Sequence, residues 1–149
     1  MASAASPIVY WGSIVRYLIL VAGAPGAGKT TLAEIIGNLD PKVFIVAADD
    51  FFTDVFGGYL FDIAKIGEAH QWCQDQVLEA MSVEAPLIIV HNTFSTRAEL
   101  EPYLRLAEQN EYRVISLIVE NLHGGESDHE VPPEKVQLFK ERLKERFQP

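Results

Sequence analysis

Four short apolar runs, each closed by turn residues, punctuate the chain: YLILVAG from Tyr17, KVFIVAAD from Lys42, PLIIVHNT from Pro86 and RVISLIVEN from Arg113. All are rich in β-branched residues and largely without polar alternation, the pattern of strands buried on both faces of a parallel sheet. Between them, apolar residues recur at helical spacing. Residues 30–39 open straight from a glycine-rich turn, residues 61–81 carry Ile63, Ile66, Ala69, Trp72, Cys73 and Leu78, and residues 96–110 carry Leu100, Tyr103, Leu104 and Ala107. A last helix is predicted over residues 133–147, with proline in its opening turn and Val136, Phe139, Leu143 and Phe147 towards one side. This alternation predicts a three-layer α/β domain: a parallel sheet flanked by helices, with ligands at the carboxyl ends of the strands.

Bulk properties narrow the picture. The chain has 149 residues, 48% of them hydrophobic, which suits one domain over residues 17–149, preceded by an extension over residues 1–16. The formal net charge of −9 argues against a long phosphate track along nucleic acid, which needs many Lys and Arg, but leaves room for a short acceptor site. The single cysteine, Cys73, rules out an internal disulfide and points to a reducing, cytoplasmic setting. The apolar N-terminus lacks the basic start of a signal peptide and runs directly into the glycine turn. No apolar run approaches the roughly 18 residues that span a bilayer, so no membrane partner is expected.

The turn after the first run reads Gly23, Ala24, Pro25, Gly26, Ala27, Gly28, Lys29, Thr30, Thr31 and fits G-x-x-x-x-G-K-[ST] in its strand-to-helix context. Backbone N–H groups curl around phosphates in such a loop, and the helix N-terminus adds partial positive charge. Lys29 is expected on the β- and γ-phosphates of a nucleoside triphosphate and the Thr30 hydroxyl on Mg²⁺. The chain has no N-K-x-D for reading guanine and is short for a motor ATPase, which leaves a small phosphotransferase. Such an enzyme needs a carboxylate that orients the acceptor hydroxyl and takes its proton. Asp49 and Asp50 stand where the second strand leaves the sheet. Neighbouring residues on an extended segment point to opposite sides, so one of them faces the site, and Asp49 is chosen as the base.

The segments GAPGAGKTTLA, VAADDFF, GGYLFDIAKIGEAHQWC, VHNTFSTRAELEPYLRLA and VENLHGGESDHEVPPEKVQLFKERLKERF together resemble the polynucleotide-kinase-like P-loop kinases. The similarity is strongest to short phage and bacterial members and to kinase domains related to NEDD-binding proteins. It runs over residues 17–147. The resemblance implies a parallel sheet with helices on both sides, ATP as donor, Asp49 as the base that activates a hydroxyl, and a polynucleotide 5′-OH as acceptor. Three positions depart from the pattern: Phe52 and Leu122 stand where it offers arginine, and His91 where it offers an acid near the metal's water shell.

Other residues are candidates for the acceptor side or for a lid. Asp62 and His70 are placed near the acceptor, with Tyr59 or Phe61 stacking on a base; core packing explains Trp72 and Cys73 and accounts equally for His70. Asn92 and Thr93 follow the third strand within reach of a γ-phosphate or an acceptor hydroxyl, because the helix cap at Thr96-x-x-Glu99 falls later. His91, His123 and His129 share no zinc spacing. His123 and His129 belong instead to a lid-like stretch, HGGESDHEVP, or to a solvated acidic connection, with Asn121 just before it a further lid or acceptor candidate. Two functions remain: an ATP- and Mg²⁺-dependent kinase acting on a single-stranded nucleic-acid 5′ end or a nucleoside-like hydroxyl, and a binding module that closes on ATP with little turnover.

Overall fold

The computed structural model describes residues 14–124 and 131–146. Four strands, β1 (Tyr17–Ala22), β2 (Val43–Val46), β3 (Leu87–His91) and β4 (Arg113–Ile118), form one parallel sheet in the order β2-β3-β1-β4. Helices α1 (Lys29–Gly37), α2 (Ile66–Ser82), α3 (Arg97–Gln109) and α4 (Pro133–Glu145) complete the domain. The expected α/β class, a parallel sheet flanked by helices, is present.

The sheet sorts its side chains by parity, as the two-residue repeat of a strand requires. Leu18, Leu20, Ala22, Ile88 and Val90 face α2 and α3 and meet Ala69, Cys73, Val77, Tyr103 and Ala107, with Leu143 of α4 in the same cluster. Ile19, Val21 and Ile89 face the other way and meet Ala33, Leu32 and Ile36 of α1. Leu18, Leu20, Ile88 and Val90 are fully buried, each stabilising the fold by about 1.5–3 kcal/mol relative to exposure. A parallel sheet covered on both faces is what continuous apolar strands demand. It puts all four carboxyl ends on one edge, where the glycine loop lies.

Two sequence expectations need correction. β4, like β2 at the opposite side, reads as buried on both faces but is an edge strand, with Val114 37% and Ile115 40% exposed. An apolar run reports β propensity and cannot report position in the sheet. The long helix begins at Ile66 rather than Phe61. Asp62 accepts the Ala64 N–H at 2.9 Å and closes a 3₁₀ turn, Ile63–Lys65, whose Ile63 is 65% exposed. The apolar residues before Ile66 therefore form a surface turn, and an Asx cap stopped the helical pattern from extending backwards. The predicted cap of α3 is present, with Thr96 N–H donating to Glu99 Oε2 at 3.0 Å. Phe147 and His129 lie outside the described residues. Among the described residues, no helix is long and apolar enough to cross a membrane.

Candidate active site

β1 delivers the chain into the glycine loop at the sheet's carboxyl edge. Its ladder continues past the strand: Asn92 N–H donates to Val21 O, Gly23 N–H to Thr93 O and Val119 N–H to Ala22 O. Gly23 is wedged against that framework, since a Cβ there would stand 2.8 Å from the carbonyl oxygen of Val119. Gly28 ends the loop at φ +102, a left-handed conformation that glycine adopts without strain. The first bond of α1 runs from Leu32 N–H to Gly28 O. The amides before it have no carbonyl of their own helix, and neither a side-chain cap nor a first-turn acid replaces one. An open helix N-terminus with Lys29 beside it fits a polyphosphate.

Lys29 bends back over the loop and its Nζ donates to Ala24 O at 3.0 Å. Burial lowers its pKa from 10.5 to about 8, while the charge of nearby Asp49 acts in the opposite direction. The partly buried ammonium thus has the Ala24 carbonyl as acceptor and the charge of Asp49 in its surroundings, and its position suits a bound anion. The Thr30 hydroxyl lies on the exposed first turn of α1, with its Oγ1 3.5 Å from His91 Nδ1. A hydroxyl at that place fits a divalent cation bound with phosphates. Burial also lowers the pKa of His91; Asp50 opposes that shift and Lys29 reinforces it.

The two aspartates sit on a 3₁₀ turn, Ala48–Phe52, and not on an extended segment as expected. Their roles in the turn differ for that reason. Asp50 Oδ2 accepts the Ala47 N–H at 2.8 Å and closes the turn. Asp49 is left towards Lys29, and Tyr59 Oη donates to its Oδ1 at 3.4 Å. Burial and the adjacent Asp49 raise the Tyr59 pKa to about 12, so the phenol keeps its proton.

Asn92 is another correction. It is buried and spoken for: Oδ1 accepts the Ala48 N–H at 2.8 Å, and Nδ2 lies 3.9 Å from Cys73 Sγ. It ties the end of β3 to the turn that carries Asp49 and to α2, so it is not available to a phosphate. Beyond it, Phe94 is buried with φ +44, a strained conformation for a bulky residue, and stacks edge-on against Tyr103. Arg146 donates to Phe94 O, so one of the C-terminal arginines braces this loop.

Removing the Asn92 amide is expected to strand the buried Ala48 N–H. Asn92→Leu should cost roughly 1–3 kcal/mol, read by urea denaturation of the nucleotide-free protein. Any activity should fall further than the lost stability explains, because the turn bearing Asp49 loses its anchor.

Asn121 and His123, read from sequence as a lid, grip the back of the glycine loop. Asn121 Nδ2 donates to Gly26 O at 3.3 Å, and its Oδ1 accepts the Gly124 N–H at 2.8 Å. His123 Nε2 lies 3.4 Å from Ala27 O. Two carbonyls of the loop, those of Gly26 and Ala27, are thus engaged by side chains that follow β4. Leu122 between them is 88% exposed. Sequence reasoning missed this bracing; the signal was only the N-x-H spacing directly after β4.

Along the segment that follows the 3₁₀ turn, an open groove of about 570 Å³ is lined by Phe51, Phe52, Thr53, Asp54, Leu60, Phe61, Asp62 and Lys65. Phe52 is buried as its floor, edge-on to Phe51, Tyr59 and Phe61. Asp62 lines this groove, with one of its oxygens used in the turn. His70, half-buried on α2, makes no hydrogen bond among the described residues.

Residues 18–121 match the model of a family described as AAA domain. Human NEDD4-binding protein 2 is 37% identical over 98 residues, which are 66% of this chain and 6% of that protein. A chain of the Pnkp1/Rnl/Hen1 RNA repair complex superposes with a TM-score of 0.69 at 18% identity, covering 91% of this chain and 47% of that one. A putative kinase from Chloroflexus aurantiacus gives 0.63 at 18% identity, over 86% and 76% of the two chains. APS kinase from Mycobacterium tuberculosis gives 0.52 at 10% identity, over 89% and 99%. At these identities the structures speak for the fold, and the chain spans less than half of the RNA repair protein it resembles. The chain belongs to this AAA-domain family and shares its fold with these P-loop kinase structures.

Proposed function

We propose that this chain is a phosphotransferase that moves the γ-phosphate of ATP, with a divalent cation that is Mg²⁺ by default, to a hydroxyl on a nucleoside-like molecule or a polynucleotide 5′ end. The observation that carries this reading is the facing of Lys29 and Asp49 from two different strand ends, with Asp49 held against Tyr59 beside an aromatic groove.

The backbone amides at the open N-terminus of α1 and Lys29 bind and orient the triphosphate, and Thr30 would hold the cation. When bound, the cation neutralises charge on the phosphates. Asp49 accepts the proton of the acceptor hydroxyl while that oxygen bonds to the γ-phosphorus; the bond from γ-phosphorus to the β–γ bridging oxygen breaks, and ADP leaves with the electron pair. Lys29 offsets the charge gathering on the transferred group. Phe51, Phe52 and Phe61 suit a base, since stacking on an aromatic contributes about 1–3 kcal/mol per base.

A nucleotide-dependent binding module is the second reading. It is favoured by the clamp of Asn121 and His123 on the loop carbonyls, which would pass nucleotide occupancy to the exposed Leu122. Incubation with γ-labelled ATP and a panel of 5′-hydroxyl oligonucleotides, nucleosides and amino sugars separates the two. Label should appear on a nucleoside-containing acceptor; tight ATP binding with label on none of them would favour the module.

A further inference from the structure

Resting on the reading of the glycine loop as a triphosphate site, we propose that Thr30 and His91 together form the protein's side of the metal site, an oxygen paired with an imidazole nitrogen, and that it favours Mn²⁺ or Co²⁺ over Mg²⁺. Thr30 Oγ1 and His91 Nδ1 stand 3.5 Å apart, one on the first turn of α1 and the other at the end of β3. Donors on neighbouring corners of an octahedral ion with bonds near 2.1 Å are about 3 Å apart, so a small movement would let both reach one ion.

The backbone holds them there independently of their contact. His91 pairs in register with Val21, the residue that leads into the loop, and Asn92 N–H donates to Val21 O just beyond. His91 is also anchored from the next residue, because the buried Asn92 side chain is fixed to Ala48. The charges around the imidazole are Asp50, Asp49 and Glu34, with Lys29 the one cation among these groups, so the surroundings lean negative and suit a cation.

The donor chemistry then decides the ion. Mg²⁺ takes oxygen ligands and sheds its waters reluctantly. Imidazole nitrogen raises affinity along the divalent transition series, from Mn²⁺ through Co²⁺ to Ni²⁺. A hydroxyl and an imidazole alone cannot hold an ion, and no group of three or more His, Cys, Asp or Glu gathers for one among the described residues. The remaining positions must come from nucleotide phosphates and water, so metal and nucleotide should bind as a pair.

The test uses Mn²⁺ as a spin probe with ADP, in the whole protein. Pulsed electron paramagnetic resonance of the Mn²⁺–ADP complex is expected to show a directly bound nitrogen, and labelling the histidines with ¹⁵N should convert its coupling to the ¹⁵N pattern. His91→Ala should abolish that coupling. His91→Asp, which restores an oxygen donor, should lower the preference for Mn²⁺ over Mg²⁺ in competition by roughly tenfold. A complex without histidine nitrogen coupling, or a metal preference equal in the native protein and His91→Asp, overturns the proposal while leaving the triphosphate reading standing. Failure of ADP to bind with any cation, measured by calorimetry, overturns both.

Discussion

With Lys29 replaced by methionine, the nucleotide-free protein is expected to gain stability at pH 7 and to lose most of its affinity for ATP. The gain follows from linkage. The folded Lys29 has a pKa of about 8 against an ordinary 10.5. Between those values the unfolded chain keeps a proton that the folded chain has released, so native stability climbs as pH rises from 8 to 10.5. Below pH 8 both states are protonated and the cost of burying the charge is fully present, on the order of 1–3 kcal/mol. Lys29→Met removes that cost. Urea denaturation should therefore show the variant ahead by this amount at pH 7, with the gap closing as pH approaches 10.5. Against this stands function: truncating one member of a buried charge pair costs roughly 2–5 kcal/mol of binding, about thirtyfold in affinity at the low end. Calorimetry with ATP at pH 8 adds a second signature, because a lysine near half-protonation takes up protons when phosphates arrive. That uptake should vanish in Lys29→Met.

The second large effect is expected from Asp49→Asn, and its character is opposite. An amide keeps the size of the carboxylate, and it keeps an oxygen that can accept from Tyr59 Oη. It cannot accept the proton of an acceptor hydroxyl. Transfer to any acceptor should fall by about 10²–10⁴-fold, the usual contribution of a positioned acid or base. ATP affinity should change little or improve, since a negative charge near the triphosphate has gone. The two variants together thus divide the site: Lys29 belongs to the donor and Asp49 to the acceptor. A Tyr59→Phe change removes only the phenol contact and should lie between the native protein and Asp49→Asn.

Much of this architecture was readable before any coordinates, and particular residues show why. The glycine loop and the two inner strands, β1 and β3, follow from local composition, because each element's burial is dictated by the run itself. β4 did not follow, because its apolar run is shared by edge and centre. Asp49 was legible by its place at a strand end, yet the turn that sets it towards Lys29 was not. The sequence suggested alternation on an extended segment, whereas a 3₁₀ turn spends Asp50 on closing itself. Asn92 was read towards the ligand, but its amide satisfies a backbone donor 44 residues earlier in the chain. Such a pairing leaves no local trace. Asn121 and His123 likewise reach carbonyls nearly a hundred residues away in sequence. Phe52 changes meaning most: read from sequence as a departure from an expected arginine, it floors an aromatic groove.

One measurement bears most directly on the account: a single-turnover experiment with γ-labelled ATP saturating both the native protein and Asp49→Asn, and a 5′-hydroxyl dinucleotide in excess. The native protein should move label to the dinucleotide 5′ oxygen, and Asp49→Asn, equally occupied by ATP, should move it about 10²–10⁴-fold more slowly. Equal rates of transfer in the two proteins, or ATP held by the native protein with label on neither the dinucleotide nor any nucleoside supplied, would contradict a phosphotransfer site built from Lys29 and Asp49.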